Sequence, residues 1–213
     1  MKEDIGMHIT WLGHSCFKIE KGGYSVIIDP YKDGSVPGLK NIRESADMVI
    51  CSHEHGDHNG RECVRVTEKT DCPFKITSLL SFHDDAGGTR RGESAITILE
   101  DGDERIAHFG DLGCALTEEQ ESLLTDLDLA LIPVGGFYTI DGKTAGEIVK
   151  KIHPRKVIPM HYRDVDKGYG YAEISTVDDF LQSVGSAVFL EASSMDTEKD
   201  YSTQMIVLEP ENI

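Results

Sequence analysis

The stretch Ser52-His53-Glu54-His55-Gly56-Asp57-His58-Asn59-Gly60 is the part of the sequence with the clearest chemical potential. It places three imidazoles and the carboxylate of Asp57 within six residues. Imidazole nitrogen and carboxylate oxygen are the usual non-thiolate ligands of zinc and related divalent cations. The spacing differs from that of two histidines one helical turn apart, and the two glycines indicate a bent loop instead. We therefore expect neighbouring side chains of this loop to bind two separate metal ions.

Further carboxylates and imidazoles follow the ends of other apolar segments. Asp29 follows Tyr24–Ile28, His83 follows Thr77–Phe82, Asp111 follows Arg105–Phe109 and His161 follows Val157–Met160. Histidines scattered through a core would have no reason to keep this pattern. The sequence therefore predicts one site, assembled where several strands end.

The composition restricts the class of protein that carries these residues. The chain has 213 residues, 39% hydrophobic and 28% charged, which indicates one globular domain over residues 1–213. Its 21 Lys and Arg against 38 Asp and Glu give a net charge of −17, which disfavours nucleic acid as a partner. Five cysteines without a CxxC pair argue against a disulfide framework and a thiolate zinc site. No apolar stretch has the length of a membrane span or the character of a signal peptide, so we expect a cytoplasmic protein.

Short apolar segments bounded by Gly, Asp or charged residues predict the strands that would position the site. In the first half these are His8–Leu12, Cys16–Ile19, Tyr24–Ile28 and Met48–Cys51, and further strands are expected at Lys75–Leu80, Ala95–Glu100, Arg105–Phe109, Leu129–Ile132, Val157–Pro159, Ala187–Leu190 and Gln204–Leu208. Helices that open with a capping Thr are expected at Thr117–Leu124, Thr144–Ile152 and Thr176–Val184. This order favours an α/β (α+β) fold of two sheets packed face to face with helices outside.

The ordered set of Asp29, the HxHxDH stretch, His83, Asp111 and His161 resembles the five motifs of the metallo-β-lactamase superfamily. Within it, the phrases Leu12-Gly13-His14-Ser15-Cys16-Phe17, His83-Asp84-Asp85, Gly110-Asp111-Leu112-Gly113 and Pro159-Met160-His161-Tyr162 are similar to the ascorbate-6-phosphate lactonase-like branch. The resemblance implies a four-layer αββα sandwich with two metal ions at the edge between the sheets. It starts at about His8, and we expect residues 1–6 to form a disordered extension.

The resemblance also implies a division of the ligands. It assigns His53, His55 and His83 to the first metal, Asp57, His58 and His161 to the second, and Asp111 to a bridging position. Asp29 would hydrogen-bond within the metal-binding loop and fix the orientation of the ligands. We expect two Zn²⁺ ions, and the ligand types also suit Mn²⁺, Fe²⁺ or Ni²⁺.

Two divalent cations facing the carboxylates of Asp57 and Asp111 leave a surplus of positive charge, which would hold a bridging hydroxide at neutral pH. We expect this hydroxide, oriented by Asp57, to hydrolyse a small ester, a lactone or a phosphorylated metabolite. The alternatives are a phosphodiesterase acting on a nucleotide or a phospholipid headgroup, and a non-catalytic metal-binding protein. Because the chain is short, we do not expect the extra domain of branches that cut long nucleic acids. Members of the superfamily often form oligomers, so a homo-oligomer is among the expectations.

Five other residues are candidates for contact with substrate. His14, after the first strand, either faces the site, where it would be catalytic by binding substrate or donating a proton, or is a structural loop histidine. Tyr138 and Tyr162 follow motif-bearing strands and would either line the substrate pocket or pack internally. Arg90 and Arg91 would bind a phosphate through their planar, two-pronged guanidinium groups, or would be solvated surface charges.

Overall fold

In a computed structural model, residues 6–67 and 69–213 are described. All of the expected N-terminal extension except Gly6 therefore lies outside the described residues. The strands are β1 (His8–Gly13), β2 (Cys16–Lys21), β3 (Tyr24–Ile28), β4 (Ser45–Ala46), β5 (Met48–Ile50), β6 (Arg65–Val66), β7 (Lys75–Phe82), β8 (Glu93–Glu100), β9 (Arg105–His108), β10 (Leu129–Pro133), β11 (Lys156–Met160), β12 (Ala187–Phe189), β13 (Ser194–Asp196) and β14 (Met205–Val207). The helices are α1 (Glu118–Leu123), α2 (Gly142–Ile152) and α3 (Asp178–Val184), with a single 3₁₀ turn at Arg61–Cys63.

Two sheets form the centre of the molecule. The first has five strands in the order β13-β1-β2-β3-β5, and the second has seven in the order β12-β14-β11-β10-β9-β8-β7. Strands β4 and β6 form a separate two-stranded sheet. Strand β3 pairs with β5 in parallel, and β9, β10 and β11 also run parallel to one another. Because parallel strands end at one edge of their sheet, the loops that follow them are brought together there.

The inner faces of the two large sheets share one hydrophobic core. Ile9 and Val26 of the first sheet and Leu131 and Ile158 of the second are fully buried members of the same cluster. Such burial stabilises the fold by about 1.5–3 kcal/mol for each large aliphatic side chain. The two-sheet core with few helices confirms the expected fold class.

The helices pack outside the seven-stranded sheet, where α2 contacts β10 and α3 contacts α2. The predicted cap at Thr117 is confirmed, since its hydroxyl accepts from the backbone N–H of Gln120 in a capping box. The other two predicted caps are wrong. The carboxylate of Asp141 caps α2, which therefore begins at Gly142, two residues before the predicted start. Helix α3 has Val177 at its N-cap and no side-chain cap, and the Thr176 hydroxyl donates to the carboxylate of Asp178.

Strand β13 was not predicted, because its sequence Ser-Met-Asp has no apolar run. It forms because the backbone of β1 offers an open edge, with Ile9 opposite Met195. Among residues 6–67 and 69–213, no helix is both long and apolar enough to cross a membrane.

Candidate metal centre

The site forms where the loops after β3, β5, β7, β9 and β11 meet. Asp29 directly follows β3, and its carboxylate accepts hydrogen bonds from the backbone N–H and the hydroxyl of Ser52, both at 2.6 Å. The same carboxylate lies 2.7 Å from Nδ1 of His58. Asp29 therefore ties the start and the end of the histidine loop to the end of the neighbouring strand.

Asp111 occupies the centre of the site. Its carboxylate oxygens lie 3.1 Å from Nε2 of His58, 3.0 Å from Nε2 of His83 and 3.4 Å from Nε2 of His161. Nε2 of His53 is 3.9 Å away. Four imidazoles from three different loops thus point the same ring nitrogen at one carboxylate, which is itself only 1% exposed.

In three of these four histidines, the opposite ring nitrogen is held by the protein. Nδ1 of His58 donates to Asp29, Nδ1 of His83 lies 3.0 Å from the carbonyl oxygen of Tyr138, and Nδ1 of His53 lies 2.9 Å from the hydroxyl of Ser52. Such partners fix the tautomer and the ring plane, which leaves Nε2 available as an acceptor toward a cation.

His108 holds the backbone next to Asp111 through a hydrogen bond to Gly110. Its Nε2 lies 2.8 Å from the carbonyl oxygen of Ser15, so its Nδ1 accepts the backbone N–H of Gly110 at 3.1 Å. Gly110 has a φ of 52°, and a Cβ there would lie 2.7 Å from the carbonyl oxygen of Ala95. The glycine next to Asp111 is therefore required by a close approach of two backbone segments.

The candidate ligand atoms fall into overlapping clusters. Within each cluster all ligand atoms lie within 4.8 Å of one another: His53, His55 and His83; His14, Asp57, His58 and His161; and His53, His58 and Asp111. Every residue that the resemblance assigned to a metal belongs to at least one of these clusters. Asp111 and His58 join the two sides of the site.

Several buried polar atoms of these clusters have no hydrogen-bond partner among the described residues. They include Nε2 of His53 and both ring nitrogens of His14 and His161. Leaving a buried polar atom without a hydrogen bond lowers the stability of the fold by about 1–3 kcal/mol. Imidazole nitrogens that converge on carboxylates are also the ligand types that divalent cations such as zinc prefer. The side chains present therefore fit metal ions.

The charges of these side chains depend on burial and on mutual contact. Burial disfavours a charged Asp111, but His161 and His58 outweigh it and hold the pKa of Asp111 well below its usual range. Burial also disfavours a charged His58, yet the carboxylates of Asp111 and Asp29 raise its pKa well above the ordinary value. The two carboxylates thus favour a positive charge at this position, whether it lies on His58 or on a bound cation. The pKa of His53 falls to about 4, chiefly through burial.

A cavity of about 350 Å³ opens onto this centre. It is lined by His55, Asp57, His83, Arg91, Asp111, Tyr138 and Tyr171. The guanidinium carbon of Arg91 lies 5.6 Å from the ring centroid of Tyr138 and 6.0 Å from that of Phe137, within the range of a cation–π contact. In the described part of the chain, no carboxylate forms an ion pair with this guanidinium, and Arg91 is among the residues that line the cavity.

Tyr171 lines the cavity but is not among the residues that the sequence predicts for the site. Its hydroxyl lies 2.7 Å from the carbonyl oxygen of Ser35 and 3.2 Å from Oδ2 of Asp57. Burial and the nearby Asp57 carboxylate raise the pKa of Tyr171, so the phenol stays protonated and can donate. Tyr171 lies in a loop beyond β11, and no motif or strand end marks it in the sequence.

Three of the candidate substrate residues do not line the cavity. Tyr162 is buried with its ring 5.5 Å from that of Trp11, which corresponds to the packing alternative. The guanidinium of Arg90 is paired with Asp85 at 3.0 Å on the surface, which corresponds to the solvated alternative. His14 is 1% exposed and lies behind Asp57, with Nε2 3.5 Å from Oδ2 of that residue. Burial, above all, lowers the pKa of His14 to about 4, so its ring is neutral.

The loop that carries Arg91 is organised by one buried carboxylate. Asp84 accepts hydrogen bonds from the backbone N–H groups of Ala86 at 2.8 Å, Gly88 at 3.0 Å, Arg90 at 2.9 Å and Arg91 at 2.8 Å. Burial opposes its ionisation, but these four donors lower the pKa of Asp84 to about 2. Asp84 therefore holds Arg91 in place at the cavity wall.

Replacing Asp84 by alanine is expected to release this loop. In this variant, four backbone N–H groups of the loop lose their acceptor. Losing even one net hydrogen bond shifts the equilibrium between the closed and the locally unfolded loop by about tenfold. Cleavage by trypsin after Arg90 and Arg91 should accelerate by at least about tenfold. Asp85→Ala is the matched control, since Asp85 accepts from the exposed Arg90 side chain rather than from the backbone N–H groups that Asp84 holds. Equal cleavage rates for the two variants would remove Asp84 from this role.

Residues 8–161 match the family described as the β-lactamase superfamily domain. A UPF0173 protein of Pyrococcus abyssi is 30% identical over 181 residues, which covers 73% of this chain and 83% of that protein. A UPF0173 metal-dependent hydrolase of Hyperthermus butylicus is 26% identical over 194 residues, 73% of this chain and 83% of that one.

The same relationship is visible in three dimensions. A Thermotoga maritima protein, described as a candidate Zn-dependent hydrolase of the metallo-β-lactamase superfamily, superposes with a TM-score of 0.73 at 29% identity, covering 95% of this chain and 98% of its own. The ordered motifs, the two-sheet core and these relatives agree. This chain belongs to the metallo-β-lactamase superfamily.

Proposed function

We propose that this protein is a metal-dependent hydrolase of small molecules with a centre for two divalent cations, most suitably Zn²⁺. The proposal rests above all on the buried, unpaired imidazole nitrogens that converge on Asp111 at the floor of an open cavity. The relatives named as metal-dependent hydrolases point in the same direction. His53, His55 and His83 would hold one cation, Asp57, His58 and His161 the other, and Asp111 would contact both.

Divalent cations in such a site supply Lewis acidity and lower the pKa of a bound water toward 7. The protein contributes orientation. Asp57 has 18% of its side chain exposed and faces both the cavity and the phenol of Tyr171, so its carboxylate would hold the second cation and accept a hydrogen bond that orients a nucleophile. The Tyr171 hydroxyl, kept protonated, lies between the carbonyl oxygen of Ser35 and Oδ2 of Asp57 and helps to hold the Asp57 carboxylate in place.

The substrate class follows from the size and the charge of the cavity. A volume of about 350 Å³ lies in the range of sites for small molecules, and it leaves room for a substrate, which opposes a purely metal-binding role. The unpaired guanidinium of Arg91, beside the ring of Tyr138, favours a substrate with an anionic group. A small ester, or a lactone or other metabolite that carries a phosphate, fits both observations. The net charge of −17 opposes a long nucleic acid.

Five unpaired thiols favour a reducing compartment such as the cytoplasm. A homo-oligomer stays a prediction.

Metal content and its loss on mutation are the first test. Elemental mass spectrometry on protein loaded with Zn²⁺ should find two cations per chain, and His58→Ala should fall to one or fewer, because His58 contacts both Asp29 and Asp111. His153→Ala is the control, since His153 is an exposed histidine after α2. Two cations in His58→Ala would contradict the ligand assignment.

A substrate panel tests the reaction itself. The loaded protein should hydrolyse a member of a set of lactones and esters, with phosphorylated compounds preferred over their unphosphorylated counterparts. Removal of the cations should abolish turnover and their return should restore it. Faster turnover of a phosphodiester than of every lactone and ester would favour the phosphodiesterase alternative. A loaded protein inactive on all of these classes would favour a metal-binding role.

A further inference from the structure

His14 is a buried side chain of the metal centre for which neither the family motifs nor the cavity provides a role. Its imidazole is fully excluded from solvent, and neither Nδ1 nor Nε2 has a hydrogen-bond partner among the described residues. A buried imidazole with both nitrogens unsatisfied is costly. Because His14 is absent from the cavity lining, a substrate in the cavity would not supply the missing hydrogen bonds of its imidazole.

The backbone fixes the direction of this side chain. His14 has a left-handed conformation with a φ of 54°, which is uncommon for residues other than glycine. Its carbonyl oxygen accepts the indole N–H of Trp11 at 2.9 Å and the backbone N–H of His161 at 3.3 Å. These two hydrogen bonds therefore stabilise the left-handed backbone of His14. Strained backbone conformations that the surrounding structure maintains in this way are found mainly at functional sites.

The imidazole is held against three other candidate ligands. Ligand atoms of His14, Asp57, His58 and His161 all lie within 4.8 Å of one another, and the ring centroids of His14 and His161 are 4.1 Å apart. Metal–nitrogen and metal–oxygen bonds to zinc are about 2.0–2.2 Å, so two neighbouring ligands of one tetrahedral ion are separated by about 3.4 Å and two ligands on opposite sides of an ion by about 4 Å. At 3.5 Å, Nε2 of His14 and Oδ2 of Asp57 are too far apart for a good hydrogen bond, but their spacing suits two ligands of one ion.

We propose that His14 is an additional ligand of the second cation, together with Asp57, His58 and His161. This inference rests on the proposed function, since it requires that the site binds two cations. It adds a histidine from the turn between β1 and β2 to a ligand set that otherwise comes from the loops after β5, β9 and β11. The second cation is then enclosed on its buried side by protein, and its exchangeable side faces the cavity.

The deciding variant is His14→Asn. Asparagine accepts the left-handed backbone, but its amide is shorter and is a weaker ligand than imidazole. At limiting Zn²⁺ and in competition with a chelator, the affinity for the second cation should fall at least about a hundredfold, since even partners outside the ligand set are worth 10–100-fold. His153→Asn is the matched control, because His153 also has a left-handed φ, 49°, and is exposed. It should bind both cations as the parent does.

Proton NMR of the cobalt-substituted parent gives a second readout that needs no variant. Each coordinated imidazole that keeps its other N–H gives one paramagnetically shifted, exchangeable signal. Six signals are expected if His14 is a ligand, one each from His14, His53, His55, His58, His83 and His161, and five if it is not.

Five signals in the parent, or unchanged affinity for the second cation in His14→Asn, would overturn the role of His14 and leave the proposed function intact. A parent that binds fewer than two cations would instead overturn the dinuclear centre itself.

Discussion

Asp111→Asn is expected to remove both cations from the loaded protein and to reduce hydrolysis by about a thousandfold or more. The carboxylate of Asp111 is approached by Nε2 of His58 at 3.1 Å and of His83 at 3.0 Å, so each side of the centre depends on it. An amide of the same shape has no net charge and presents an N–H₂ group to one of these nitrogens. Bound cations stabilise the transition state by several kcal/mol. Because about 1.4 kcal/mol corresponds to a factor of ten in rate, losing them is expected to slow hydrolysis by about a thousandfold or more.

Elemental mass spectrometry measures the cation count, and the rate is taken on the best substrate of the panel. Asp196→Asn is the control, because it removes one negative charge from an exposed residue whose partner is His8. A variant that retains two cations would remove Asp111 from the bridging position. A variant that loses only one cation would assign Asp111 to a single ion.

Much of this site was predictable because strand ends and ligand types coincide in the sequence. Asp29, His83, Asp111 and His161 each follow an apolar segment closely, and the parallel strands bring such positions to one edge. The HxHxDH stretch needs no long-range information, since its ligands lie within a single loop. The structure brings all of these side chains together, as the pattern predicts.

What could not be predicted depends on the direction of individual side chains in irregular segments. Arg90 and Arg91 are neighbours in sequence, yet the first pairs with Asp85 on the surface and the second faces the cavity, because Asp84 binds the backbone of both. Tyr171 reaches the cavity from a loop whose path is set by contacts with the segment around Ser35. No local rule encodes such distant contacts.

Three residues of the centre share an unusual backbone conformation. His14, Asp29 and His161 have φ values of 54°, 51° and 54°, and Asp and His are among the side chains that tolerate this region. Each of these residues directly follows a strand. Its left-handed backbone conformation turns the chain at the end of that strand, and the side chain of the residue itself is directed into the site. The fold therefore stores strain where the candidate ligands are oriented.

Asp29→Asn is expected to weaken binding of the second cation by about 10–100-fold, which is the usual effect of losing a partner that orients a metal ligand. Asparagine keeps the left-handed backbone, but its amide nitrogen cannot accept from Nδ1 of His58 and the Ser52 hydroxyl, which both contact Oδ2 of Asp29. The metal-free protein should also lose about 3–5 kcal/mol of stability, because His58 is left buried and charged without one of its carboxylates. Asp126→Asn is the matched control, since Asp126 has a φ of 58° on the surface. Zinc competition titrations and urea unfolding measure the two effects, and normal zinc affinity in Asp29→Asn would show that His58 is oriented without Asp29.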